Sequence, residues 1–71
     1  MTIGDKVKVK HGATRWLKSR DHWDDYIDHD IDEMVGVITD DYSHLSGDDS
    51  HFCVELGFDY VVGIPERLLE L

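Results

Sequence analysis

Valine and lysine alternate without a break from Lys6 to Lys10. A period of two places Val7 and Val9 on one side of an extended chain and the three lysines on the other, so this stretch reads as a half-buried strand. The pattern recurs: Phe52, Val54 and Leu56 alternate with Cys53 and Glu55 in His51–Leu56, and Val35 and Val37 alternate with Gly36 and Ile38 in Met34–Tyr42. Tyr60–Ile64 and Leu68–Leu71 supply two more short apolar runs. Turn residues separate them: Gly4-Asp5, His11–Thr14, the polar loop Ser43–Ser50 with Gly47-Asp48 at its tip, and Gly57-Phe58-Asp59. Pro65-Glu66-Arg67 reads as one 3-10 turn, because proline fits a first helical position. Gly36, inside a strand, suits a bend or a close backbone approach. The expectation is a mainly β domain of five short strands.

With 71 residues the chain makes one domain, residues 1–71, burying about 60% of the surface its unfolded form exposes. Cys53 is the single cysteine, so there is no internal disulfide, and no Cys/His spacing matches a structural zinc site. Between Phe52 and Val54 it reads as a small buried hydrophobe. No apolar run approaches the ~18 residues of a membrane span, and no signal-peptide core follows Met1, so an intracellular protein without a membrane partner is expected.

The net charge of −9 is unevenly spread. Lys6, Lys8, Lys10, Arg15, Lys18 and Arg20 precede position 21, whereas of the acids only Asp5 does. Such a field opposes direct nucleic-acid binding and favours a protein partner with a basic surface. The lysines of the first strand read as a solvated face that also blunts a sheet edge. The acids concentrate in Asp21–Glu33, which holds seven of them with His22, His29, Trp23 and Tyr26. Trp23, Ile27, Ile31 and Met34 recur at helical spacing. However, acids this dense, without a basic residue for an i,i+4 pair, destabilise a helix, so a long loop with one or two helical turns is expected. Trp16 and Leu17, just before it, are expected to cap one end of the core.

Asp28-x-Asp30-x-Asp32 matches the first half of a calcium loop, but Glu33 stands where the turn needs glycine and Thr39 where a bidentate glutamate belongs. His22, His29, Asp25 and Asp32 offer nitrogen and oxygen ligands without the fixed spacing of a built site. A divalent-metal-binding domain is therefore a minor alternative, and neither a resident metal nor a cofactor is expected. His11, His44 and His51 are scattered, and Ser43, Ser46 and Ser50 beside His44 are ordinary turn residues. No catalytic residue is assigned and an enzyme is not expected.

Three stretches carry a family resemblance: Gly4-Asp5-Lys6-Val7-Lys8-Val9, Gly36-Val37-Ile38, and Val62-Gly63-Ile64-Pro65-Glu66-Arg67-Leu68-Leu69-Glu70-Leu71. With the element order, they resemble the small SH3-like β-barrel, and the layout is also similar to the variable chain of ferredoxin–thioredoxin reductase. The resemblance implies a five-stranded barrel with a long first loop, here 21–33, bordering a ligand groove, and a 3-10 turn before the last strand. Trp16, Trp23, Tyr26 and Tyr42 would line that groove beside Asp24, Asp25, Asp28 and Asp30. The ALYDY-type motif of proline-recognising SH3 domains does not occur. The expected function is a non-catalytic interaction module, an adaptor or accessory subunit, with aromatics as anchors and carboxylates for steering. The alternative is an acidic nucleic-acid mimic that inhibits a DNA- or RNA-binding effector.

Overall fold

The computed structural model describes residues 1–19 and 30–71. Five antiparallel strands form one open sheet: β1 (Lys6–Val9), β2 (Val35–Tyr42), β3 (His51–Glu55), β4 (Val62–Ile64) and β5 (Leu69–Glu70), in the order β4-β3-β2-β1-β5. A short helix, α1 (Ala13–Lys18), lies between β1 and β2, and 3-10 turns occupy Gly47–Asp49 and Glu66–Leu68. The strands expected from alternation are present, with β4 beginning two residues later than the apolar run suggested.

The alternation fixes which side of the sheet is the core. Val7 and Val9 of β1, Ile38 of β2, Phe52 and Val54 of β3, Val62 and Ile64 of β4, and Leu69 of β5 are all buried on the inner face. Ala13 and Leu17 of α1, Leu56, and Ile31 complete the same cluster. Lys6, Lys8, Val35 and Val37 point outward. Gly36 lies on the inner side, where a Cβ would strike the Glu55 carbonyl oxygen and approach Leu56 Cδ2 to 2.7 Å; glycine is what lets β2 and β3 cross this closely.

The β2–β3 ladder contains a bulge. Ile38 pairs with Val54, then Asp40 with Cys53, which leaves Thr39 extra, its hydroxyl donating to the Cys53 carbonyl at 3.3 Å. One added residue reverses the sidedness of everything beyond it. Asp40 and Tyr42, which share the parity of buried Ile38, are thereby turned to the outer face opposite Cys53 and His51.

Helix α1 precedes the acidic stretch and is an element that the spacing did not announce. Ile31 and Met34, which share helical spacing with Trp23 and Ile27, belong to a turn in which Glu33 has φ 66°, in keeping with the loop expected there; the helical turns expected within 21–29 lie outside the described residues. One expectation is corrected. Cys53 is half-exposed on the outer face, because its neighbours Phe52 and Val54 take the inward positions. Residues 20–29, the greater part of the acidic segment, lie outside the described residues. No helix among the described residues is long and apolar enough to cross a membrane.

Candidate functional site

The C-terminal end of the acidic segment is tied to α1. Gly12, at the N-cap of α1, contributes no side-chain hydrogen bond. Asp32 supplies it from twenty residues away. Its Oδ2 accepts from the Gly12 N–H at 2.8 Å, and its Oδ1 accepts from the Thr14 N–H and the Thr14 hydroxyl, both at 2.9 Å. The Ile31 N–H donates to Thr14 Oγ1 at 2.8 Å, which helps seat Ile31 in the core. The two main-chain donors, with the Thr14 hydroxyl and His11 Nδ1 at 3.5 Å, hold the Asp32 carboxyl below the usual range.

Two of the three carboxylates of Asp28-x-Asp30-x-Asp32 lie among the described residues. Asp32 spends both oxygens on the protein's own donors. Asp30 Oδ1 lies 3.2 Å from the Thr14 hydroxyl and accepts from the Asp32 N–H at 3.0 Å, closing the turn. No group of three or more metal-ligating side chains occurs among the described residues. Beside Asp30 and Asp32, Thr14, Arg15 and Lys18 complete the lining of an open depression of about 370 Å³.

The second assembly is the far end of the β2–β3 hairpin. Tyr42, 40% exposed, stacks on His51 at 5.2 Å between ring centroids and lies 6.3 Å from His44. The His51 ring is fixed by a 2.6 Å contact of Nδ1 with the Asp49 carbonyl oxygen. Asp40, Asp41 and Asp49 are exposed in the same hairpin, as is Leu45, with Asp40 on the face of β2 that carries Tyr42. Asp41 accepts from both the hydroxyl and the N–H of Ser43, which lower its pKa, with smaller help from His44 and the N-terminal amine. Ser50 Oγ donates to the Ser43 carbonyl, so the hydroxyls of Ser43 and Ser50 both help hold the loop together.

The expected partner-binding residues separate into groups. Trp16 packs half-buried against the core on α1, with the Arg67 guanidinium 4.6 Å from its ring centroid; it joins α1 to the 3-10 turn before β5. Asp30 is exposed at the base of α1, and Tyr42 is exposed on the hairpin. Trp23, Asp24, Asp25, Tyr26 and Asp28, like His22 and His29, lie outside the described residues. Sequence reasoning missed Thr14 and the capping role of Asp32, and it missed that His44 and His51 gather on Tyr42. The symmetric placing of Tyr42 and His51 about the polar loop was the available signal for the latter. Burial, and then Asp40, push the Cys53 thiol pKa up.

Fold and surface together define a small, mainly β domain with a hairpin end that is both acidic and aromatic. Comparison with protein-family models, with curated proteins and with solved structures finds no match to this chain.

Proposed function

We propose that this chain is a non-catalytic protein-interaction domain with an SH3-like barrel layout. It docks a partner with a basic surface through the hairpin end around Tyr42, together with the acidic segment 21–33. The strand order β4-β3-β2-β1-β5, with a 3-10 turn immediately before β5, supports the layout. The observation that carries the binding reading is Tyr42, an exposed ring held by stacking on His51, in a hairpin that also exposes the carboxylates of Asp40, on the same face as Tyr42, and of Asp41 and Asp49. An amphipathic ring with restricted freedom is an effective anchor, and carboxylates in the same hairpin steer a cationic surface into place. Among the described residues the one acid–base contact within 4 Å is His11–Asp32, which is an ion pair only when His11 is protonated; it is remote in sequence from this cluster, and no lysine or arginine of the described residues pairs with the hairpin acids.

The test is affinity capture from lysate with three proteins: wild type, a hairpin variant (Tyr42→Ala, Asp41→Asn, Asp49→Asn), and a loop variant with Asp24, Asp25, Asp28 and Asp30 changed to Asn. Each is first shown to melt as wild type does. Capture lost in the hairpin variant and weakened in the loop variant is expected. Capture unchanged in both refutes the reading. Capture of a nucleic-acid-binding protein that added DNA or RNA displaces, with steep salt dependence, replaces it with the mimic reading.

A further inference from the structure

The outer face of the sheet carries a stripe whose charge pattern matches its own rotated copy. Val35 and Val37, in the central strand β2, are 51% and 43% exposed, and they lie side by side along the strand, two residues apart. Register places Lys6 directly beside Val37 in β1 and Glu55 directly beside Val37 in β3. One row therefore reads cation, valine, carboxylate. Lys6 and Glu55 stand about two strand spacings, or ~10 Å, apart, and they form no ion pair with each other. Glu55 is held in place by one oxygen, which accepts from the Gly57 N–H, so the other stays available.

We propose that this face binds a second copy of the chain. A two-fold axis lying in the interface along β2 returns Val35 and Val37 onto their own counterparts. The same rotation exchanges β1 with β3, so it sets Lys6 of each copy against the other copy's Glu55, at the same height because both belong to one row. This is the isologous arrangement of a C2 dimer, built as an aligned sheet-on-sheet packing. The rotation about an axis across the strands would instead oppose Lys6 and Lys8, which excludes it. Asp40, beyond the bulge on the same strand, falls near the axis and meets its own counterpart there. That repulsion, the net charge of −9 on each copy, and a patch only three strands wide make the dimer weak. Association is therefore expected to be weak and transient, as for interfaces at the small end of the size range.

Sedimentation equilibrium of the full chain from about 10 µM to 1 mM, near 0.15 M salt where charges beyond ~8 Å are screened, reads the association directly. Concentration-dependent dimerisation is expected for wild type. Val37→Lys is expected to abolish it. Lys6→Glu and Glu55→Lys are each expected to weaken it at least about five-fold, and the double exchange Lys6→Glu with Glu55→Lys to restore it, since the two-fold then pairs the same charges with signs reversed. Asp40→Asn is expected to tighten it. All variants are checked for an unchanged melting temperature, and Val37→Thr serves as a second, shape-conserving probe that should weaken association without lysine's charge. A monomer throughout the wild-type series overturns the proposal. So does a dimer that tolerates both Val37 variants, or one that the double exchange fails to restore.

Discussion

Asp32 is the side chain whose removal tests the reading of the fold most directly. Substituting Asp32→Ala deletes three hydrogen bonds to a carboxylate: from the N–H groups of Gly12 and Thr14 and from the Thr14 hydroxyl. It leaves the first turn of α1 without the cap that Gly12 does not itself provide. A lost cap costs about 0.5–2 kcal/mol, and Thr14, 8% exposed, has limited access to replacement water, so a total of about 2–3 kcal/mol is reasonable at about 1 kcal/mol per net hydrogen bond. A chain of this length has roughly 4–10 kcal/mol of stability in all. Thermal unfolding followed by circular dichroism should show the midpoint falling by about 10–20 °C, at 4–8 °C per kcal/mol for a small domain. The carboxyl pKa is lowered in the folded state. The contribution of its charge is therefore fully present above the unfolded value of about 3.9 and is lost as pH falls through the lower folded value. The gap between wild type and Asp32→Ala should accordingly be widest above about pH 5 and narrow toward pH 2, while Asp32→Asn should sit between the two at neutral pH. A midpoint within about 2 °C of wild type at pH 7 would refute the capping account, and a gap independent of pH would refute its electrostatic part.

Three further outcomes follow from the packing. Gly36→Ala should destabilise by about 3 kcal/mol, measured by urea unfolding, because the added methyl meets the Glu55 backbone carbonyl, which cannot swing aside, as well as the side chains of Leu56 and Val54; a neutral result would mean that β2 and β3 can separate freely. Cys53 should react with a thiol reagent at pH 8 more slowly than a free cysteine, because burial and Asp40 both disfavour the thiolate. Asp40→Asn should accelerate the reaction modestly, and no change would leave burial as the whole cause. Arg67→Ala, in a Trp23→Phe background so that Trp16 is the sole indole, should red-shift the fluorescence and cost about 0.5–1 kcal/mol, as expected for an exposed cation–π contact; an unshifted spectrum would mean the guanidinium does not cover the ring.

The sequence by itself determined the strands and the inner face. Period-two alternation is a local property: once Val7 and Val9 must be buried together, Lys6 and Lys8 have nowhere to go but out, and Phe52 and Val54 repeat the argument on β3. Pro65, which fixes its own φ, and Gly36, which lacks a side chain, are legible for the same reason, since each states a backbone constraint without reference to distant residues. What only the tertiary structure decided involves partners remote in sequence. Helix α1 is too short to announce itself by periodicity, and it is closed by a carboxylate twenty residues away. Asp32 therefore looked like one more acid in a ligand-like row until its donors were in view. The bulge at Thr39 is the second such case. No residue there demands it, yet it reverses the face of Asp40 and Tyr42, and so turns Tyr42 from a position of core parity into an exposed ring against His51. A one-residue shift in pairing is invisible to composition and spacing, because side-chain direction beyond it depends on the register of the neighbouring strand and not on the strand's own sequence.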